Sequence, residues 1–521
     1  MKRLNIFDEL REITQRLKPF EGEMALQYLV SFSRKGAQHL KSHAALQYML
    51  DHPNASYDEL LNAISPGMDR YDFNKFLTRL RDKIFDSLTL RQNILRNGNY
   101  SEWYQARQLV TKNWILITNL LGRGNERSGR ILLDEQIRIC SKFELYDLLV
   151  STLRLKLDID GFSFGEKAFF HILTEVKDAE IKRDAVYLAL EWNTRFYMAA
   201  DRKASQNEQV GLLTEALSEL QRLYNATESS TVGQYVHLFE MEYYQALGDY
   251  DSAGKSAKKM VEVINSSPAL RSDIKLSSAY ANLAYNCLLM HEFDACQENI
   301  ELSLRGAGVG SYNYVAIKSL QAQAYYFQGN LNASWEESDT LLQSDLIRVA
   351  PFERSKMVYL QACILFNRGQ FSKAYEYCNS EYALMDTDPE GWNVGVRILS
   401  IMCLMEMQLL DLADLSIDSL RKHLSKNAEE HEFTTRDKAI LKILRNLERT
   451  SFDFAKTYFN HQDLFYELES DLSDFAWKIR SHEYVVFHHW FLDKIAQRPY
   501  QFKLPQYTQP EPVHINVKHE L

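Results

Sequence analysis

Glycine and proline are scarce in this chain, with 20 and 10 residues among 521, about half their usual share. Folds rich in sheet and loop need more turn residues than this, so the shortage points to long helices joined by short turns. It also argues against a glycine-cradled nucleotide or phosphate site. The most glycine-rich stretch, GRGNERSG at 122–129, matches neither GxGxxG nor GxxxxGK[ST] and reads as a solvated turn. Cys140, Cys287, Cys296, Cys363, Cys378 and Cys403 fit neither a CxxC zinc site nor a disulfide-dense small domain; they read as small core residues. Long apolar runs are missing, which excludes membrane insertion on the sequence evidence. The opening MKRLNIFDEL carries no uninterrupted apolar stretch of the kind a signal peptide needs. The expected location is the cytoplasm.

Charge is present in both signs but unevenly. Residues 1–130 carry 20 Lys/Arg against 14 Asp/Glu, and the remaining 391 carry 40 against 56. An acidic body argues against extensive contact with nucleic-acid phosphates. The weakly basic head differs from it, and its pattern is helical. Leu4, Phe7, Leu10, Ile13 and Leu17 recur at three- and four-residue spacing, predicting one amphipathic helix over residues 1–30. Short helices follow at Leu40–Met49 and Tyr57–Ile64. A long one then runs from Arg70 to Leu95 with the stripe Phe73, Phe76, Leu77, Leu80, Ile84 and Leu88. Short helix, turn, short helix, turn and long helix is a helix-turn-helix-like order. Arg79, Arg81 and Lys83 on the long helix are the candidate nucleic-acid or partner contacts, although Asp72, Asp82 and Asp86 dilute its charge. The other reading of 1–95 is a helical bundle that caps an array.

From residue 96 the chain reads as helix pairs. Helices are expected to Leu120 and at 130–141, 143–157, 166–176, 179–199 and 205–225, giving degenerate hairpins over 96–230. The strongest signal lies within 231–420. ALGDYDSAGK, LMHEFDACQE, FQGNLNASWE, NRGQFSKAYE and MQLLDLADLS share one layout. A turn residue (Gly248, His291, Gly329, Gly369, Gln408) precedes by two an aromatic or apolar plug (Tyr250, Phe293, Leu331, Phe371, Leu410). A small residue follows three later (Ala253, Cys296, Ser334, Ala374, Ala413). One helix earlier stand Met241, Ala284, Ala322, Ala362 and Ile401, with Tyr244, Cys287, Tyr325, Leu365 and Leu404 three residues beyond them. Glycine suits a tight helix–helix corner that needs positive φ, and small residues let two helix axes approach closely.

This layout resembles the tetratricopeptide repeat family in degenerate copies. The resemblance implies an all-α solenoid of stacked antiparallel hairpins, with the helical head before it. The small positions are 43, 38, 40 and 39 residues apart, against about 34 in that family, so the units should have longer helices or linkers. Beyond the repeats, helices at 434–448, 451–460, 462–478 and 481–496 place C-terminal capping helices within 421–498. The proline-bearing tail 499–521 should be extended or disordered.

No HExxH, kinase set or Cys/His ladder is present, and no catalytic, cofactor or metal residue is assigned. His488-His489 is the most conspicuous histidine pair, but neighbours on a helix point about 100° apart, which favours packing over a metal. A chain of this kind reads as a noncatalytic scaffold or peptide-binding adaptor whose partner is another protein or a peptide segment. The first helices of such repeats line the inner curve. In the matched register the inner candidates are Tyr235, Glu242, Gln245, Tyr285 and Gln323, followed by Tyr326, Tyr359, Phe366, Asn367 and Met405. The alternative is a regulator with a DNA- or protein-binding head and a peptide-sensing repeat body.

Overall fold

The computed structural model describes residues 5–17, 19–31, 37–90, 100–201, 206–385, 391–426, 434–470 and 475–505. Among them every regular element is helical and no strand occurs. No described helix is long and apolar enough to cross a membrane. The chain divides into two compact units, Met1–Tyr100 with Tyr104–Leu132, and Ser101–Trp103 with Leu133–Leu521.

The first unit opens with α1 (Ile6–Arg16), α2 (Pro19–Ser31), α3 (Ala37–Asp51), α4 (Tyr57–Ile64) and α5 (Arg70–Leu90). The single helix expected over 1–30 is two. Pro19 cannot continue a helix but is well suited to start one, and Leu17, just before the break, is already extended (ψ 132°). Ser56 and Glu59 form a reciprocal capping box at the start of α4. The α5 stripe works as its spacing requires: Phe73, Leu77, Leu80 and Ile84 are fully buried against Phe7, Leu10, Leu46 and Leu60. Each such side chain stabilises the unit by about 1.5–3 kcal/mol relative to exposure. Leu4, the Leu88 side chain and the expected continuation of α5 to Leu95 lie outside the described residues. Then come α6 (Glu102–Gly122) and α7 (Glu126–Lys142), and the division between the units runs through both.

The second unit continues with α8 (Tyr146–Lys156), a π turn at Leu157–Gly161, the short α9 (Phe162–Phe164), α10 (Glu166–Asp201) and α11 (Gln206–Thr227). Two helices were expected over 166–199. With neither glycine nor proline between 166 and 201, nothing interrupts the backbone ladder, and α10 runs unbroken for 36 residues. Five hairpins follow: α12 (Ser230–Leu247) with α13 (Tyr250–Ser266), α14 (Asp273–Leu289) with α15 (Phe293–Gly306), α16 (Tyr312–Phe327) with α17 (Leu331–Gln343), α18 (Pro351–Asn367) with α19 (Phe371–Cys378), and α20 (Trp392–Glu406) with α21 (Leu410–Lys426).

All five turn residues have positive φ, from 61° at His291 and Gln408 to 86° at Gly329. In each, the next N–H bonds the carbonyl five residues back: Asp249 to Tyr244, Glu292 to Cys287, Asn330 to Tyr325, Gln370 to Leu365 and Leu409 to Leu404, all at 2.8–2.9 Å. This is the helix-ending 6→1 bond. The same closure recurs outside the matched repeats, at Gly124, Glu144 and Ser451. The five small residues of the second helices are wholly buried, as are Ala284, Ala322 and Ala362 on the facing helices. Where the small residue is Ser334, its hydroxyl also donates to the Ala322 carbonyl at 2.8 Å. The longer repeat spacing is taken up between units, as in the 3-10 turn Asp345–Val349 that precedes α18.

Successive first helices, α14, α16, α18 and α20, pack directly against one another. The chain closes with α22 (Thr435–Arg449), α23 (Phe454–Asn460), α24 (Gln462–Glu469) and α25 (Phe487–Ile495). The helices expected at 462–478 and 481–496 are shorter than that: residues 475–486 are irregular, because their backbone is bonded by side chains of the array. The described part of the tail, 499–505, is non-helical and includes the buried Tyr500. The rest of the tail lies outside the described residues.

Candidate functional site

The inner candidates fall into two groups, separated by what lies on them. On α16, α18 and α20 the chain's own residues 475–505 occupy the face. Tyr326 and Tyr359 donate their hydroxyls to the carbonyls of Tyr484 (2.9 Å) and His482 (2.7 Å). Tyr484 in turn donates to Gln323 Oε1 at 2.7 Å, and Asn367 Oδ1 accepts from the Phe502 N–H at 2.8 Å. Trp490 and Lys494 both reach Glu406 at the end of α20. Tyr326, Tyr359, Phe366 and Met405 are therefore core residues, 0–3% exposed, and not an open surface. The sequence pattern of the array does not show that the occupant of this face comes from the same chain.

Close approach explains Gly395. A Cβ there would stand 2.4 Å from the His482 carbonyl oxygen and 3.0 Å from the Tyr359 hydroxyl, so only glycine lets the returning backbone touch α20. The returning segment is anchored from behind by a buried polar network. Arg436 on α22 pairs with Glu483 through two bonds, at 2.5 and 2.9 Å, and donates to the carbonyls of Leu468 and Phe475. It also reaches His488 Nδ1 at 2.9 Å. Burial, with Arg436 and His489 beside it, holds His488 well below the usual imidazole range, so the ring is a neutral acceptor. His482 bonds Asp437 at 3.0 Å. Burial pushes the Asp437 carboxyl up, yet the His482 charge and bond and two bonds from Thr434 outweigh it, leaving a net downward shift. His488 is buried with its ring centre 4.5 Å from that of His489, and among the described residues no group of His, Cys, Asp and Glu is placed to hold a metal.

Beside α14, at the N-terminal parts of α16 and α18, the inner face is different. An open cleft of about 460 Å³ is lined by Tyr197 of α10, by Ser278, Ala281, Asn282 and Tyr285 of α14, and by Asn313, Ala316, Ile317, Leu320 and Gln323 of α16; Glu353 and Lys356 of α18 complete it. Of the ten inner candidates it brings together Tyr285 and Gln323. Tyr285 is 36% exposed. Gln245 is buried and donates to Asn286, tying α12 to α14, and Tyr235 packs against the cluster around Trp192 and Phe239. Glu242 is half-buried and makes no hydrogen bond among the described residues. Burial pushes its carboxyl up to about 7, with Arg480 opposing. Glu353 and Lys356 were not among the candidates; their i,i+3 spacing at the proline-marked start of α18 is the signal that was there to read.

Two further motifs bear on chemistry. GFSFG at 161–165 satisfies the GxSxG pattern of a nucleophile elbow. Ser163 sits in a helical turn with no strand leading into it, and its hydroxyl donates to the Ile159 carbonyl at 2.8 Å. In the first unit, Arg79 is exposed. Arg81 is engaged by Glu9 at 3.3 Å and Asp82 at 2.8 Å and lies over the Phe85 ring, while Lys83 is half-buried.

No protein-family model matches the chain, and no curated protein matches it. Among solved structures it is similar to a signal transduction ATPase with numerous domains from Pyrococcus horikoshii that carries a tetratricopeptide repeat sensor. The identity is 13% and the TM-score 0.39, over 82% of this chain and 67% of that one. It is also similar to a structure of Naa15/Naa10 bound to HypK-THB, with 13% identity, a TM-score of 0.28, and coverage of 89% and 73%.

Proposed function

We propose that the chain is a noncatalytic interaction scaffold or peptide-binding adaptor, and that its docking surface is the open cleft on α10, α14, α16 and α18. The observation that carries this reading is the contrast along one face. The later parts of α16 and α18, which present Tyr326, Tyr359 and Phe366, are already covered, while Asn282 and Tyr285 of α14 and Asn313 at the start of α16 stand at the open cleft. The side-chain amides of Asn282 and Asn313 make no hydrogen bond among the described residues, leaving donors and acceptors for a partner's backbone. Exposed tyrosine supplies apolar area at low entropic cost. Stacked hairpins hold such a surface on rigid elements, which suits recognition of an extended segment.

The test is selection of peptides from a displayed random library on the full-length chain. Selected peptides should lose binding to Asn313→Trp, which obstructs the cleft. They should keep it with Leu415→Ala, which alters an exposed apolar residue of α21. Peptides that bind both variants equally would place the docking surface elsewhere.

A further inference from the structure

The cleft contains one polar group that its own chain leaves unsatisfied. Glu353, in the first turn of α18, is 5% exposed. Its Oε1 accepts from Lys356 Nζ at 3.3 Å, whereas Oε2 is buried with no hydrogen-bond partner. Lys356 is itself fixed, with its ammonium 5.0 Å from the Phe352 ring centre and 5.4 Å from that of Trp392. Buried carboxylate oxygens are ordinarily satisfied by donors, and here one donor is missing at the wall of an open cleft. The same cleft offers Ala281, Ala316, Ile317 and Leu320 as apolar surface and Asn282 and Asn313 as free amides.

This combination selects among ligands. An anion would find Lys356 already engaged and would face the unpaired oxygen. A purely apolar side chain would fill the cleft and leave Oε2 unsatisfied. A lysine or arginine side chain does both tasks, laying its aliphatic stem on the apolar residues and bringing a charged donor to the carboxylate. Because Oε2 is enclosed, such an entrant requires the Glu353 carboxylate to turn about its terminal bond, which one hydrogen bond to Lys356 restrains. The cleft is open and drawn from four helices, unlike the enclosed pockets that bury most of a small ligand. We propose that this cleft receives a lysine or arginine side chain of an extended partner segment, with Glu353 as the acceptor of its charge. The assignment rests on the cleft being the docking surface.

The test uses the full-length chain and arrays of nine-residue peptides with degenerate flanks and a fixed central Lys, Arg, Gln, Leu or Glu. The Lys and Arg pools should bind at least about tenfold more tightly than the Glu pool, the scale of one charge-assisted bond. Glu353→Gln should remove that preference while leaving the Gln and Leu pools within about twofold. Lys356→Met, which keeps the stem packed but frees the second oxygen, should strengthen the preference, a direction that loss of folding cannot mimic. Tightest binding by the Glu pool, or an unchanged basic preference in both variants, would overturn the charge assignment and leave the docking surface standing. Binding by no pool would overturn both. Competition by spermidine as effective as that of the basic peptides would overturn the choice of a peptide segment.

Discussion

The two ends of the array's inner face are built from the same kind of helix and have opposite fates. In the later parts of α16 and α18 the inward Tyr326 and Tyr359 donate their hydroxyls to the backbone carbonyls of Tyr484 and His482. On α14 the inward Tyr285 faces an open cleft. The difference lies in what is brought to the face. A returning segment rich in Trp, Tyr, Phe and Val, tied to Arg436 through Glu483, completes the core over the later parts of α16 and α18 and over α20, and its Arg480 reaches the neighbourhood of Glu242 on α12, while the cleft beside Tyr285 is left open. A concave repeat surface is thus a place for binding only where its own chain has not already bound.

The widest separation between the two regions should come from truncating one aromatic in each. Trp490→Ala removes a fully buried indole that also bonds Glu406, and should cost about 3–5 kcal/mol in urea unfolding. Tyr285→Ala in the open cleft should fall within about 0.5 kcal/mol of the parent. Equal effects would erase the distinction. Gly395→Ala pushes a methyl into the His482 carbonyl and should cost about 1–3 kcal/mol. Gly211→Ala is a useful control in α11, because nothing lies within 4 Å of the added atom; it should be neutral or stabilising by about 0.5–1 kcal/mol.

Two buried groups should also answer pH with opposite sign. The folded state holds His488 below its unfolded value, so its contribution is complete above about pH 6.5 and is lost as acid charges the ring. Glu242 is raised to about 7 from an unfolded value of 4.5. The folded state therefore takes up its proton more readily, and stability falls as pH rises through that window, by about 3 kcal/mol at most. Thermal unfolding between pH 5 and 8 should show Glu242→Gln stabilising the chain most at pH 8. His488→Gln should reduce the loss on acidification. A pH profile unmoved by either variant would contradict these assignments. The smallest effect is local: His291→Gly and Gln408→Gly relieve positive φ at helix corners and should each raise stability by up to about 1 kcal/mol, read as a rise in Tm.

Much of the architecture was legible because it is written locally. The corner residues, the plugs two positions later and the small residues on facing helices are fixed by sequence spacing, and all five corners have the left-handed backbone that glycine at three of them suggests. Corners carried by Glu144 and Ser451 went unread, since neither residue type advertises positive φ. The break before Pro19 was also a local signal, overridden by an apolar periodicity that continues across it. The site was less legible. Which inward residues remain open depends on contacts more than a hundred residues apart, such as Tyr326 with Tyr484 and Tyr359 with His482. Nothing in the local pattern around Tyr326 differs from that around Tyr285 in a way that foretells this. Glu353 stands out only once its unsatisfied oxygen is seen at the wall of the cleft.

The unequal inner face is tested most directly by amide hydrogen exchange on the intact chain. The N–H groups of Val486, Phe487 and Phe502 donate to Tyr500, Glu483 and Asn367, so residues 482–502 should exchange as slowly as the array helices α18 and α20 that they cover. Exchange of that segment at the rate of an unstructured peptide, with α18 and α20 still protected, would show that the face is open along its whole length and would contradict the division drawn between its two ends.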